Sequence, residues 1–129
     1  MDTPDLELAT QIRREVLGAG YADPKGPQSP FQEAFRDFTL RNCWGSVWTR
    51  DGLDRKTRSM LNLAMLAALA RWNEFDVHVR GAINNGVTDE EIIEVVLQAG
   101  VYAGVPIASE AMKRAESVVR TVRAEQEAR

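Results

Sequence analysis

Arg71-Trp-Asn-Glu-Phe-Asp-Val-His-Val-Arg-Gly-Ala-Ile-Asn-Asn-Gly86 is the stretch on which the reading of this chain turns. The stretch is expected to fold as a helix closed by Asn84-Asn-Gly86, with Gly86 available for a left-handed conformation. Glu74 and the only histidine, His78, then lie one turn apart on one face. A carboxylate beside an imidazole is a compact acid/base unit, because it can orient the ring and raise its basicity. Arg71, a turn before Glu74, could complete the cluster with a cation. The plainer alternative is an exposed helical ion pair.

The same helical period runs outward from this segment in both directions, and no stretch alternates as a strand would. A first helix is expected from about Pro4 to Leu17 on Leu6, Ala9, Ile12, Arg13 and Val16. Residues 18–30, rich in proline and glycine, are expected to form a loop, either a surface connection or an arm on a neighbour. A second helix opens near Pro30 and carries Phe31, Phe35 and Phe38, read as core. Trp44 and Trp48 follow; they either pack in the core or a subunit contact, or one of them walls an apolar pocket. Asp54 is placed to cap a third helix reaching about Ala70, apolar on nearly all sides, which favours burial against another subunit. Asn62 interrupts that helix and demands a hydrogen-bond partner. Thr88-Asp-Glu-Glu91 is a capping box for a fifth helix to about Tyr102. Gly104 and Pro106 separate it from a last helix on Ile107, Ala111, Ala115 and Val118. The expected fold is all-α, about six helices in one domain over 1–129.

Composition narrows the function. The chain has 129 residues, 44% of them hydrophobic, and a net charge of −3, which leaves no basic footprint for nucleic acid or anionic membrane. No apolar run reaches the roughly 18 residues of a membrane span, and the acidic N-terminus does not read as a signal peptide; a cytoplasmic protein is expected. One cysteine, Cys43, allows neither an intrachain disulfide nor a Cys-x-x-Cys pair, and it reads as a small buried hydrophobe. One histidine and one cysteine make a transition-metal site improbable, and no phosphate-binding glycine pattern is present.

From Phe31 to about Val119 the chain closely resembles the carboxymuconolactone decarboxylase family. The resemblance rests on Trp44-Gly-Ser-Val-Trp48-Thr-Arg50, Gly52-Leu-Asp-Arg-Lys-Thr-Arg58-Ser59, Glu74 with His78-Val-Arg80, and Asn84-Asn-Gly86-Val-Thr88. It continues through Glu91-Ile, Glu94-Val, Gln98 and Tyr102-Ala-Gly-Val-Pro106, and Ile12-Arg-Arg-Glu-Val-Leu-Gly18 is similar to the family's first helix. It implies an all-helical fold shared with AhpD-type alkylhydroperoxidases and an obligate oligomer, a homotrimer or homohexamer. The implied activity is cofactor-free decarboxylation of a dicarboxylate lactone, 4-carboxymuconolactone, to β-ketoadipate enol-lactone in protocatechuate catabolism.

On that resemblance His78 is expected to protonate the dienolate left by carbon dioxide, with Glu74 orienting it. Arg58 and, behind it, Arg80 are expected to bind substrate carboxylates, since a guanidinium can do so bidentately. AhpD-type relatives carry Cys-x-x-Cys-x-x-x-His on this helix; here Arg71 and Glu74 stand at the thiol positions, which excludes a dithiol peroxidase. Arg71-Trp-Asn-Glu-Phe75 also departs from the more acidic run of the pathway decarboxylases, so Trp72, Asn73 and Phe75 could reshape a pocket wall. The alternatives are a family paralogue using the same acid/base pair on another small lactone or oxo acid, and a non-catalytic oligomeric binding protein.

Overall fold

A computed structural model describes residues 3–129, which form seven α-helices and one π-helical turn. They group into two compact units, one ending at Asp54 and one spanning Arg55–Arg129. Among the described residues there is no strand, and no helix is long and apolar enough to cross a membrane.

In the first unit, α1 (Leu6–Leu17) starts one residue after Asp5, whose carboxylate accepts from the Leu8 amide at 3.0 Å. It buries Ala9, Ile12, Val16 and Leu17. The expected loop over 18–30 contains a short helix, α2 (Ala19–Ala22). Side chains remote in sequence hold it: Arg13 and Arg36 both donate to the Ala22 carbonyl, the latter at 3.0 Å, and Arg14 pairs with Asp23 at 3.0 Å. Such contacts satisfy the carbonyls that a helix end leaves open.

Helix α3 (Pro30–Thr39) begins in a capping box between Ser29 and Gln32. Its phenylalanines are not core, contrary to expectation: Phe31, Phe35 and Phe38 are 88%, 68% and 61% exposed. The periodicity located an apolar stripe correctly, but nothing among the described residues covers it. The helix then widens into a π-turn, Leu40–Trp44, in which Gly45 N–H reaches the Leu40 carbonyl at 2.7 Å. A Cβ on Gly45 would lie 2.6 Å from that same oxygen, so glycine is required there.

In the second unit, α4 (Arg55–Ala68) and α7 (Val105–Glu127) each pack against both α5 (Trp72–Asn84) and α6 (Asp89–Ala103). Their shared core includes Leu63, Ala67, Phe75, Val79, Ile92 and Val96. Helix α4 starts immediately after Asp54, as expected, but ends at Ala68 rather than Ala70. Ala70 adopts a left-handed conformation, φ 55°, and Arg71 N–H returns to the Leu66 carbonyl at 2.9 Å, closing the corner into α5. Gly86 takes φ 85°, as its place at the stop after α5 requires. The capping box of α6 forms on both sides, Glu91 N–H to Thr88 Oγ1 at 3.2 Å and Thr88 N–H to Glu91 Oε1 at 3.0 Å.

Candidate active site

Helix α5 turns Phe75, Val79 and Ala82 into the core, and each is fully buried. Glu74 and His78 occupy the neighbouring strip of that helix, with Glu74 exposed and His78 half-buried. Across from them on α4, Asn62 presents Nδ2 to His78 Nδ1 at 3.5 Å. This partner answers the demand that a mid-helix asparagine raised in the sequence. The imidazole therefore lies between an amide on one helix and a carboxylate on its own.

Burial lowers the pKa of His78 from its ordinary 6.5, and the charge of Glu74 acts in the opposite direction. The result is a ring that rests neutral near pH 7 and gains affinity for a proton whenever further negative charge arrives beside it. A dicarboxylate substrate would supply such charge.

The expected arginines divide. Arg58 lies one turn before Asn62 on the same side of α4, half-buried. Arg80 is engaged elsewhere: its guanidinium forms a bidentate pair with Glu125 of α7, at 2.6 and 3.1 Å, which raises its pKa. Arg71 sits at the start of α5 with an exposed side chain, and among the described residues it makes no ion pair with Glu74. The pair is thus completed by an amide, Asn62, rather than by a cation from the same helix. Phe75 belongs to the core, with Trp72 packed edge-on against it at 5.6 Å. Trp44 and Trp48, in the first unit, are both buried and stack on each other at 5.0 Å and 29°. Cys43 beside them is half-buried; burial pushes its thiol up, which disfavours the reactive thiolate.

Helix α5 is held on two flanks. Arg114 of α7 pairs with Asp76 at 2.8 Å and with Glu110 at 2.9 Å, and its guanidinium lies 5.6 Å from the Trp72 ring centre. On the α4 side, Asn85 donates to the buried Ser59 hydroxyl. Neither bond that reaches α5 from another helix is legible in the sequence, because Asn85–Ser59 and Arg114–Asp76 join positions 26 and 38 apart. A cavity of about 430 Å³ opens between α6 and α7, but its lining does not include Asn62, Glu74 or His78. Among the described residues no three His, Cys, Asp or Glu side chains gather as a metal-binding group.

The profile of the carboxymuconolactone decarboxylase family matches residues 33–117. Over 120 residues the chain is 40% identical to 4-carboxymuconolactone decarboxylase of Acinetobacter baylyi, covering 92% of this chain and 90% of that one. Over 103 residues it is 45% identical to a nitrosuccinic acid decarboxylase of Metarhizium robertsii, covering 79% of this chain and 72% of the other. With a matching profile over most of its length and two decarboxylases among its relatives, the chain belongs to the carboxymuconolactone decarboxylase family and is a carboxy-lyase.

Proposed function

We propose that this enzyme decarboxylates 4-carboxymuconolactone to the enol-lactone, with His78 as the proton donor. The observation that carries the proposal is the half-buried imidazole of His78, flanked by Asn62 and by the charge of Glu74. The C–C bond to the departing carboxylate breaks, carbon dioxide leaves, and the electron pair delocalises into the lactone carbonyl as a dienolate. A proton from His78 then forms the new C–H bond. The lactone is its own electron sink, so the protein's tasks are to bind the dianion, stabilise the developing oxyanion and deliver one proton. Negative charge arriving with the substrate offsets the burial that keeps the ring neutral at rest. Arg58, one turn from Asn62, is suited to the carboxylate that remains.

A second substrate, nitrosuccinic acid, is favoured by the 45% identity to the fungal enzyme. The two acids share one arrangement: the carbon that loses carbon dioxide is conjugated to an electron sink and also carries a carboxymethyl arm. In nitrosuccinate the nitro group takes the electron pair as a nitronate. The same acid and the same arginine serve both reactions.

We further propose that the chain works as a homotrimer or homohexamer. The exposed stripe Phe31, Phe35 and Phe38, together with exposed Leu61 and Met65 on α4 and Leu69 just beyond it, is more apolar surface than a lone chain is expected to leave open.

The test is turnover of each acid, supplied separately, by wild type and by His78→Ala. Loss of a general acid is expected to slow turnover by roughly 10²–10⁴-fold. A folded wild type that consumes neither acid would overturn the substrate assignment; undiminished turnover by His78→Ala would overturn the role of the ring.

A further inference from the structure

We infer that Asn62 is a positioning residue that holds the resting, neutral ring of His78 in the Nε2–H tautomer, so that the ring edge away from α4 carries the proton before substrate arrives. The side-chain amide nitrogen of Asn62 is a donor only, and it faces Nδ1 at 3.5 Å. An Nδ1 that accepts from this amide cannot itself bear the proton of the neutral ring, which must then sit on Nε2. In the imidazolium both nitrogens are protonated. Nε2 is therefore a donor in either charge state.

The inference rests on the decarboxylase reading above for its purpose. A ring in the other tautomer would turn a lone pair towards an anionic substrate and towards the oxygen on which charge develops. With Nε2–H set in the resting ring, that edge can hydrogen-bond the oxygen on which charge develops; a charged ring that gives its Nε2 proton to carbon is left as the Nδ1–H tautomer. Asparagine suits the position because its carbonyl oxygen, brought round by a rotation about χ2, can accept from Nδ1–H once the ring is charged. Leucine or alanine could do neither.

His78 is the only histidine in the chain, so an imidazole ¹H–¹⁵N spectrum of the whole ¹⁵N-labelled protein contains one ring and assigns itself. The resting wild type at a pH where the ring is neutral is expected to show the Nε2–H pattern. Asn62→Asp, which puts an acceptor opposite Nδ1, is expected to move the ring to the Nδ1–H pattern, and Asn62→Leu to give a mixture. Alongside this, kcat is expected to fall at least tenfold in Asn62→Asp while KM stays within about threefold. A wild-type ring protonated on Nδ1 would overturn the inference even if neither variant folds; so would an Asn62→Leu ring identical to wild type. Because the tautomer is read without substrate, its failure is separate from that of the decarboxylase reading, which turnover by wild type decides.

Discussion

The Nδ2 of Asn85, at the end of α5, donates to Oγ of Ser59 at 2.9 Å, and Ser59 is fully buried in α4. This bond pins the far end of the helix that carries His78 to the helix that carries Asn62. Ser59→Ala leaves the amide only its longer bond to the Arg55 carbonyl, at 3.5 Å, a change expected to cost about 1 kcal/mol. Urea unfolding of the two proteins would measure it; equal midpoints at equal slopes would show that the bond contributes nothing.

Ala70 holds φ at 55°, which costs a residue with a Cβ about 1–2 kcal/mol. Ala70→Gly relieves that strain and loses part of the gain to the freer unfolded chain. The net expectation is a stabilisation of roughly 0.5–1 kcal/mol, visible as a raised Tm. A lowered Tm would mean that the corner between α4 and α5 is unstrained.

Stability should depend on His78 with a definite sign. Its folded pKa lies below the ordinary 6.5, so between the two values the unfolded chain binds more proton. The contribution is complete above about pH 6.5 and is lost as the pH falls from there through the folded value. Urea midpoints of wild type should therefore drop more steeply than those of His78→Gln on going below pH 6.5. Parallel curves would remove the buried neutral ring from the account.

Glu74 raises the proton affinity of His78 through its charge. In Glu74→Gln the ring should titrate at lower pH than in wild type, and the pH at which kcat falls should follow it. An unchanged ring titration would reduce Glu74 to a solvated surface residue.

The exposed phenylalanines of α3 bear on assembly. Phe35→Ser, at a position 68% exposed, should leave the helix content intact and lower the mass seen by light scattering at micromolar concentration. An unchanged mass would move the proposed contact to the exposed face of α4.

Much of this was legible before any coordinates. Helices α5, α6 and α7 were bounded by a glycine stop, a capping box and a Gly–Pro break, all local signals whose chemistry acts within four or five residues. The Glu74/His78 face followed from spacing alone. What escaped depends on long-range partners. Helix α2 exists because Arg13 and Arg36 reach its last carbonyl from two other helices. Arg80 is engaged by Glu125, 45 positions away, which accepts from both its terminal nitrogens. Asn62 was recognised as needing a partner, but only the packing of α4 on α5 identifies that partner as the imidazole. Periodicity found the Phe31–Phe35–Phe38 stripe and could not tell whether the same chain would cover it.

The π-turn at Leu40–Trp44 packs one residue more into its ring of hydrogen bonds than an α-helix would. Each residue of an α-helix advances the chain by about 100°, so that surplus residue is a fixed rotation built into the path between α3 and Trp48. Exchanging a side chain here leaves the rotation untouched. Dropping a position would unwind it and turn both stacked indoles relative to α3. What the segment specifies is a count before it is a composition, and its lineage should tolerate substitutions there far more readily than gaps.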